Sequence, residues 1–294
     1  MLPNVSTLFR LPMRERPDKR HLFVLVAALG LVTGQAGAEE AAGDAAKGGG
    51  DLRAAVQNPI SSLISVPFKF AFDYGAANGD GTIMNIQPVY PITKGRFNYV
   101  SRLILPVGRV DGAISTPDNP NPSGVGSADG LGDANYSLFV SPVEYDKVIW
   151  GAGPSLSMPT ASDDQLGSGK WSAGVTAVAL TQPKWGSMGI LGRQIWSFAG
   201  DDDRADVSQL LVEPFLNYNL EKGWFLITDI IITANWEAPS SERWTVPLGG
   251  GVGRIYKIGN QAVNNRFEAY YNVERPDAAP EWSWSFTFQF LFPK

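Results

Sequence analysis

Six charged side chains hold the positions from which this chain could act on a solute: Arg102, Arg193, Glu213, Asp229, Arg266 and Glu268. They fall in stretches where polar and apolar residues alternate, and in a β-strand that spacing sends the two kinds of side chain to opposite faces. Glu213 and Asp229 sit near the centres of successive stretches, so they come from neighbouring walls. Guanidinium and carboxylate groups on facing walls of a pore create a transverse field, which sorts solutes by charge without making or breaking a bond. The same groups also suit internal ion pairs that fill a narrow interior and pass nothing. Lys69, Asp73 and Asp133 share the polar parity.

Covalent chemistry has little to work with. The chain has no cysteine, and its one histidine, His21, falls in what reads as a leader. A Ser-His-Asp triad, a Cys-His pair and a histidine metal site therefore cannot be built in the mature protein. No enzymatic activity and no cofactor are expected. Asp201, Asp202, Asp203 and Asp206 cluster in one segment, either as a divalent-cation site or as a solvated acidic loop, and they lack EF-hand spacing. Gly249-Gly250-Gly251-Val252-Gly253 resembles a phosphate loop only in composition. No Gly-Lys-Ser/Thr follows it and it sits inside an alternating stretch, so it reads as a glycine patch on a strand.

Residues 1–38 have the layout of a secretory signal. Arg10, Arg14, Arg16, Lys19 and Arg20 precede an apolar run from Leu22 to Val32, and Ala36-Gly37-Ala38 offers a cleavage site; Met13 is an alternative start to Met1. Removing this leader leaves 19 basic against 27 acidic residues. So acidic an exported chain is no partner for nucleic acid. Residues 39–65 are expected to form a flexible segment, rich in small residues at first, that could plug a barrel mouth or lie along its rim.

The elements that must position the six charges are strands. From Trp282 to Phe292 every even position is aromatic, while Ser283, Ser285, Thr287 and Gln289 occupy the other face. Eleven earlier stretches alternate in the same way: 66–74, 82–91, 96–107, 131–142, 147–158, 170–182, 185–198, 207–220, 223–236, 243–256 and 264–274. Arg193 and Gln194 are adjacent, so one face of the seventh stretch must carry a polar group. Trp224 and Trp236 share a face twelve residues apart, about 30 Å along the membrane normal for a tilted strand, which suits two interfacial aromatic girdles. Short turns alternate with longer polar loops, of which Gly75–Gly81 and Val110–Gly130 are two. That segregation places both termini of a barrel on one side. Pro88, Pro106, Pro154, Pro214 and Pro247 each remove a ladder donor and are expected at rims or bulges.

Several stretches resemble a family of bacterial outer-membrane barrels labelled "transporter", grouped with the phenol-degradation meta-pathway outer-membrane proteins and often mislabelled neuromedin U. They are Gln57-Asn58-Pro59-Ile60, Ile64 to Phe68, Gly130-Leu131-Gly132-Asp133, Leu166 to Ser172, Gln194 to Asp201, Asn235-Trp236, Arg243 to Pro247 and Leu291 to Lys294. The resemblance covers residues 51–294 and implies a barrel of passive transport with no assigned site residues. One departure is Pro293-Lys294, which follows the last aromatic where such barrels usually end in one.

The expected architecture is therefore all-β: a 12-stranded antiparallel transmembrane barrel over residues 66–294, with short periplasmic turns and longer extracellular loops. The expected setting is the outer membrane of a Gram-negative cell. Lipid, lipopolysaccharide, the barrel assembly machinery and small solutes are the expected partners. The expected role is a passive channel of unknown substrate, and the alternative is a non-conducting structural or adhesive barrel that binds partners through its outer loops.

Overall fold

The computed structural model describes residues 52–293, so the leader expected over 1–38 lies outside the described residues. Twelve strands in chain order close one antiparallel barrel. Strand one is Ile64–Ala76, strand two Gly79–Ile86 continued by Val89–Lys94, strand three Phe97–Asp111, and strand four Ser127–Leu131 continued by Ala134–Pro142. Strands five to eight are Ile149–Met158, Lys170–Thr181, Gly186–Gly200 and Ser208–Asn219. Strand nine is Trp224–Asp229 continued by Ile232–Asn235, and strands ten to twelve are Trp244–Ile258, Gln261–Glu274 and Trp282–Phe292. Strand twelve pairs with strand one, so the barrel has no free edge.

The closing seam shows how the sequence sets the register. Phe68, Phe70, Phe72 and Tyr74 lie opposite Phe288, Phe286, Trp284 and Trp282. A slip of one residue would turn every ring into the interior. The observed register keeps Trp284 at 48 % exposure on the outer surface and buries Thr287 completely on the inner one. Trp224 and Trp236 both lie on the outer face at opposite ends of strand nine. In strand seven Arg193 points inward, and Gln194 stays outside, where it accepts the Trp236 indole N–H at 3.0 Å.

The five prolines expected at rims or bulges sit where the ladder gives way. Pro88 and Pro214 lie in or opposite two-residue gaps in strands two and nine, and pairing resumes beyond each gap in the same register. Pro154 faces a similar gap between strands four and five. Pro247 marks a register shift between strands ten and eleven. Pro106 accepts the Gly132 N–H at 2.9 Å beside a one-residue bulge in strand four. A missing donor thus costs a local ladder bond without moving the side chains to the wrong face.

Two features differ from the sequence reading. Gly75–Gly81 is a tight hairpin turn, because Gly75 and Gly79 take positive φ and let strands one and two run on through it. The interior also has an apolar half: Val100, Phe139, Ile149, Val178, Leu180, Leu191, Leu211 and Phe215 on strands three to eight pack together with Ile60. Ile60 belongs to residues 52–63, which begin with a helical turn at 52–56 and lie across the short-turn end. Leu52, Ala55, Val56 and Leu63 pack on Ala262 and Leu291. On the other side Arg53 donates to the Leu220 carbonyl at 3.0 Å and Gln182 to the Ala54 carbonyl at 2.7 Å.

Candidate functional site

Strand ten explains how distant charges meet. Its lumen-facing positions include Gly249, Gly251 and Gly253, so the side chains of strands nine and eleven reach each other over it. Asp229 accepts from Arg266 at 3.4 Å, and the Asp229 backbone N–H donates to the Tyr270 hydroxyl at 2.9 Å. That hydroxyl donates to Glu268 at 3.1 Å, while Arg266 Nε stands 3.8 Å from the other Glu268 oxygen. A side chain on strand ten would occupy this space: a Cβ on Gly251 would lie 2.8 Å from Glu268 Cγ, and one on Gly253 would lie 2.2 Å from the Phe225 ring. The glycine run is therefore a slot in the wall.

Glu213 on strand eight lies diagonally beside Asp229, and the two carboxyl groups are within hydrogen-bonding reach. Arg102 faces them from strand three, on the opposite wall, and donates to Gln87 at 3.4 Å. A cavity of about 240 Å³ on the long-loop side and one of about 130 Å³ over the 52–63 segment share Gln87, Arg102, Glu213, Asp229 and Arg266. The charged layer thus stands between two chambers.

A second constriction comes from the loop between strands three and four, residues 112–126, whose middle folds into the barrel. Arg193 donates to the Pro117 carbonyl at 3.3 Å and to Gln209 at 3.2 Å. Asn235 holds Asn121 at 2.6 Å, and Ser115 donates to the Ala278 carbonyl at 2.8 Å. Asp118 and Arg193 both line the large cavity and a pocket of about 10 Å³ beyond it. Burial pushes the Asp118 carboxyl above its ordinary range, against the opposing pull of Arg193, Arg102 and Lys69.

Of the six residues singled out from sequence, Arg102, Glu213, Asp229 and Arg266 meet in one layer, and Arg193 stands at the second constriction. Glu268 does not face the lumen, because it is fully buried behind Arg266 and Tyr270 and lines neither cavity. It follows the inward parity, but the glycine slot lets its neighbours close over it. Asp133 also has another task. In the strand-four bulge it accepts from the Ser168 N–H at 2.7 Å, the Ser168 hydroxyl at 2.8 Å and the Ala161 N–H at 3.2 Å, which fastens the loop 159–169. Sequence reasoning missed Asp118, although Pro117-Asp118-Asn119-Pro120 in a long loop pointed to a stiffened turn. Among the described residues no cluster of three or more acidic, histidine or cysteine side chains could hold a metal, and Asp206 instead pairs with Lys170 at 3.3 Å.

The barrel is similar to a solved structure, the outer membrane channel from Pseudomonas putida F1, with a TM-score of 0.59 and 14 % identity over 79 % of this chain and 96 % of that one. The chain has the fold of that channel. No protein-family model matches the sequence, and the search of curated proteins found no match.

Proposed function

We propose that this barrel sits in the outer membrane of a Gram-negative cell and lets small solutes cross passively, without a covalent step. The observation that carries this reading is the pair of chambers joined by a half-buried charged layer inside a closed, apolar-skinned barrel. An outward band of aromatic and aliphatic residues, with tryptophans at both rims, is what a bilayer requires of a barrel surface. Oppositely charged groups on facing walls give the interior a means of discrimination. The likeness to a solved channel supports the same reading.

Conductance of the refolded protein in planar bilayers, with solute-driven swelling of liposomes, tests it. Reproducible single-channel steps are expected, and a folded protein that neither conducts nor speeds swelling would overturn the proposal. Binding through the outer loops draws little support from residues 112–126, whose middle is tied inside the barrel; the exposed tip near Val125 is what remains for a partner. Deleting that tip should leave conductance in place.

A further inference from the structure

The lumen sets two cations against an excess of acids with no ion pair joining them. Lys69 and Arg102 come from strands one and three, and Glu213 comes from strand eight on the far wall. Among the described residues none of the three has an opposite charge within ion-pairing distance: Glu213 reaches only the carboxyl of Asp229, which shares Arg266 with Glu268, so three acids there stand against one cation. Of the other charged groups of the cavity, Asp73 accepts the Ser283 hydroxyl at 2.6 Å, Arg193 is held by Pro117 and Gln209, and Asp118, on the inward-folded loop, is drawn most strongly to Arg193. Lys69, Arg102 and Glu213 nonetheless line the same cavity and are near enough for the two cations to act on Glu213. Phe139, Leu191 and Leu211 supply an apolar patch in that cavity.

Half-buried charges of opposite sign that cannot reach each other are satisfied by water or by a solute that spans them. A free volume of about 240 Å³ corresponds to about eight waters, room for a small organic molecule. A monoanion placed there would offset part of the charge of Arg102 and Lys69 but face Glu213 across the cavity. A monocation would do the reverse. The geometry points to a subsite for a small zwitterion with an apolar side chain, an α-amino acid of the leucine type, its carboxylate toward Arg102 and Lys69, its ammonium toward Glu213 and its side chain on Phe139, Leu191 and Leu211. This inference rests on the channel reading and narrows its substrate class.

Single-channel recording of the full barrel in potassium chloride separates the two claims. Leucine, N-acetylleucine and leucinamide share a skeleton and differ in net charge, and each is scored by how often it interrupts the current. Leucine should interrupt at concentrations about fivefold lower than either analogue, a factor that corresponds to about 1 kcal/mol. Glu213→Gln should remove its advantage over N-acetylleucine, and Arg102→Gln its advantage over leucinamide. The wild-type ranking stands even where a variant fails to fold, which heat-modified gel mobility would reveal. Normal conductance with leucine no stronger than both analogues, or without effect, overturns the subsite and leaves the channel standing. Absence of any current instead removes the channel reading itself, and the subsite with it.

Discussion

Replacing Gly251 by alanine is the most direct test of the slot in strand ten. Gly251 pairs with Glu268, and an added Cβ would lie 1.9 Å from the Phe267 carbonyl oxygen, 2.7 Å from Glu268 Cα and 2.8 Å from Glu268 Cγ. Two of those three atoms are backbone, so strand eleven must move to make room. Forcing extra volume into a packed site costs about 1–3 kcal/mol. Gly192 on strand seven is the control, since the nearest atom to an added methyl there would be the Leu211 carbonyl oxygen at 4.0 Å. At that position alanine should gain about 0.5–1 kcal/mol by removing a flexible glycine from a strand. The two single-methyl variants should therefore differ by about 1.5–4 kcal/mol in opposite directions from wild type. Urea unfolding in lipid vesicles, followed by tryptophan fluorescence, measures both. Gly251→Ala within about 0.5 kcal/mol of wild type, the range of an ordinary surface change, would show that no slot is needed there. A stable Gly251→Ala protein should still shift in ion preference, because its methyl displaces Glu268, which holds Arg266 beside Asp229.

Three further outcomes follow from the charged groups. Burial raises Asp118 above its ordinary value of 3.8, so the inward-folded loop favours the protonated form. That contribution is complete below 3.8 and is lost as pH rises through the higher value of the docked state, so acidification should tighten the loop and lower conductance. The Asp118→Asn variant should lose this part of the pH dependence, and a bilayer titration showing the wild-type curve unchanged in it would refute the assignment. Glu213→Gln and Arg193→Gln should move the potassium chloride reversal potential in opposite directions, with no movement in either showing that these groups lie away from the constriction. Asp133→Asn weakens charge-assisted hydrogen bonds of about 1.5–3 kcal/mol to the loop 159–169. Protease should nick that loop faster in the variant, and equal nicking rates would count against Asp133 as its anchor.

Most of the barrel could be read from period two alone. A strand in this wall has one apolar and one enclosed face along its whole length, so Trp282 to Phe292 and Val66 to Tyr74 declared both their type and their register. The prolines fitted because each affected ladder bond could be lost without changing parity. The Gly75–Gly81 turn was misjudged because a run of glycine, alanine and asparagine has the composition of a long loop, while positive φ at Gly75 and Gly79 closes it in two residues. Alternation assigns the polar residues to the lumen and leaves Leu211 and Phe215 unplaced, yet both are apolar and buried inside. A closed interior is shielded from bulk water wherever another segment covers it, here by Ile60, so an inward position does not have to be polar.

The charged site was readable in membership and obscure in arrangement. Sequence placed Arg102, Glu213, Asp229 and Arg266 on the inner face, but neighbouring strands normally keep their side chains one strand apart. Asp229 and Arg266 lie on strands nine and eleven, separated by a whole strand, and they meet only because strand ten presents glycine between them. The same deletion of side chains lets Tyr270 and Arg266 close over Glu268, which turns an expected lumen charge into a buried support. A glycine run within an alternating strand therefore carries positional information: it marks where charges on the two flanking strands are free to pair. On walls without such a slot Lys69 and Arg102 form no ion pair among the described residues, and Glu213 reaches only another carboxyl, that of Asp229, so any sorting of solutes by charge would fall to these groups.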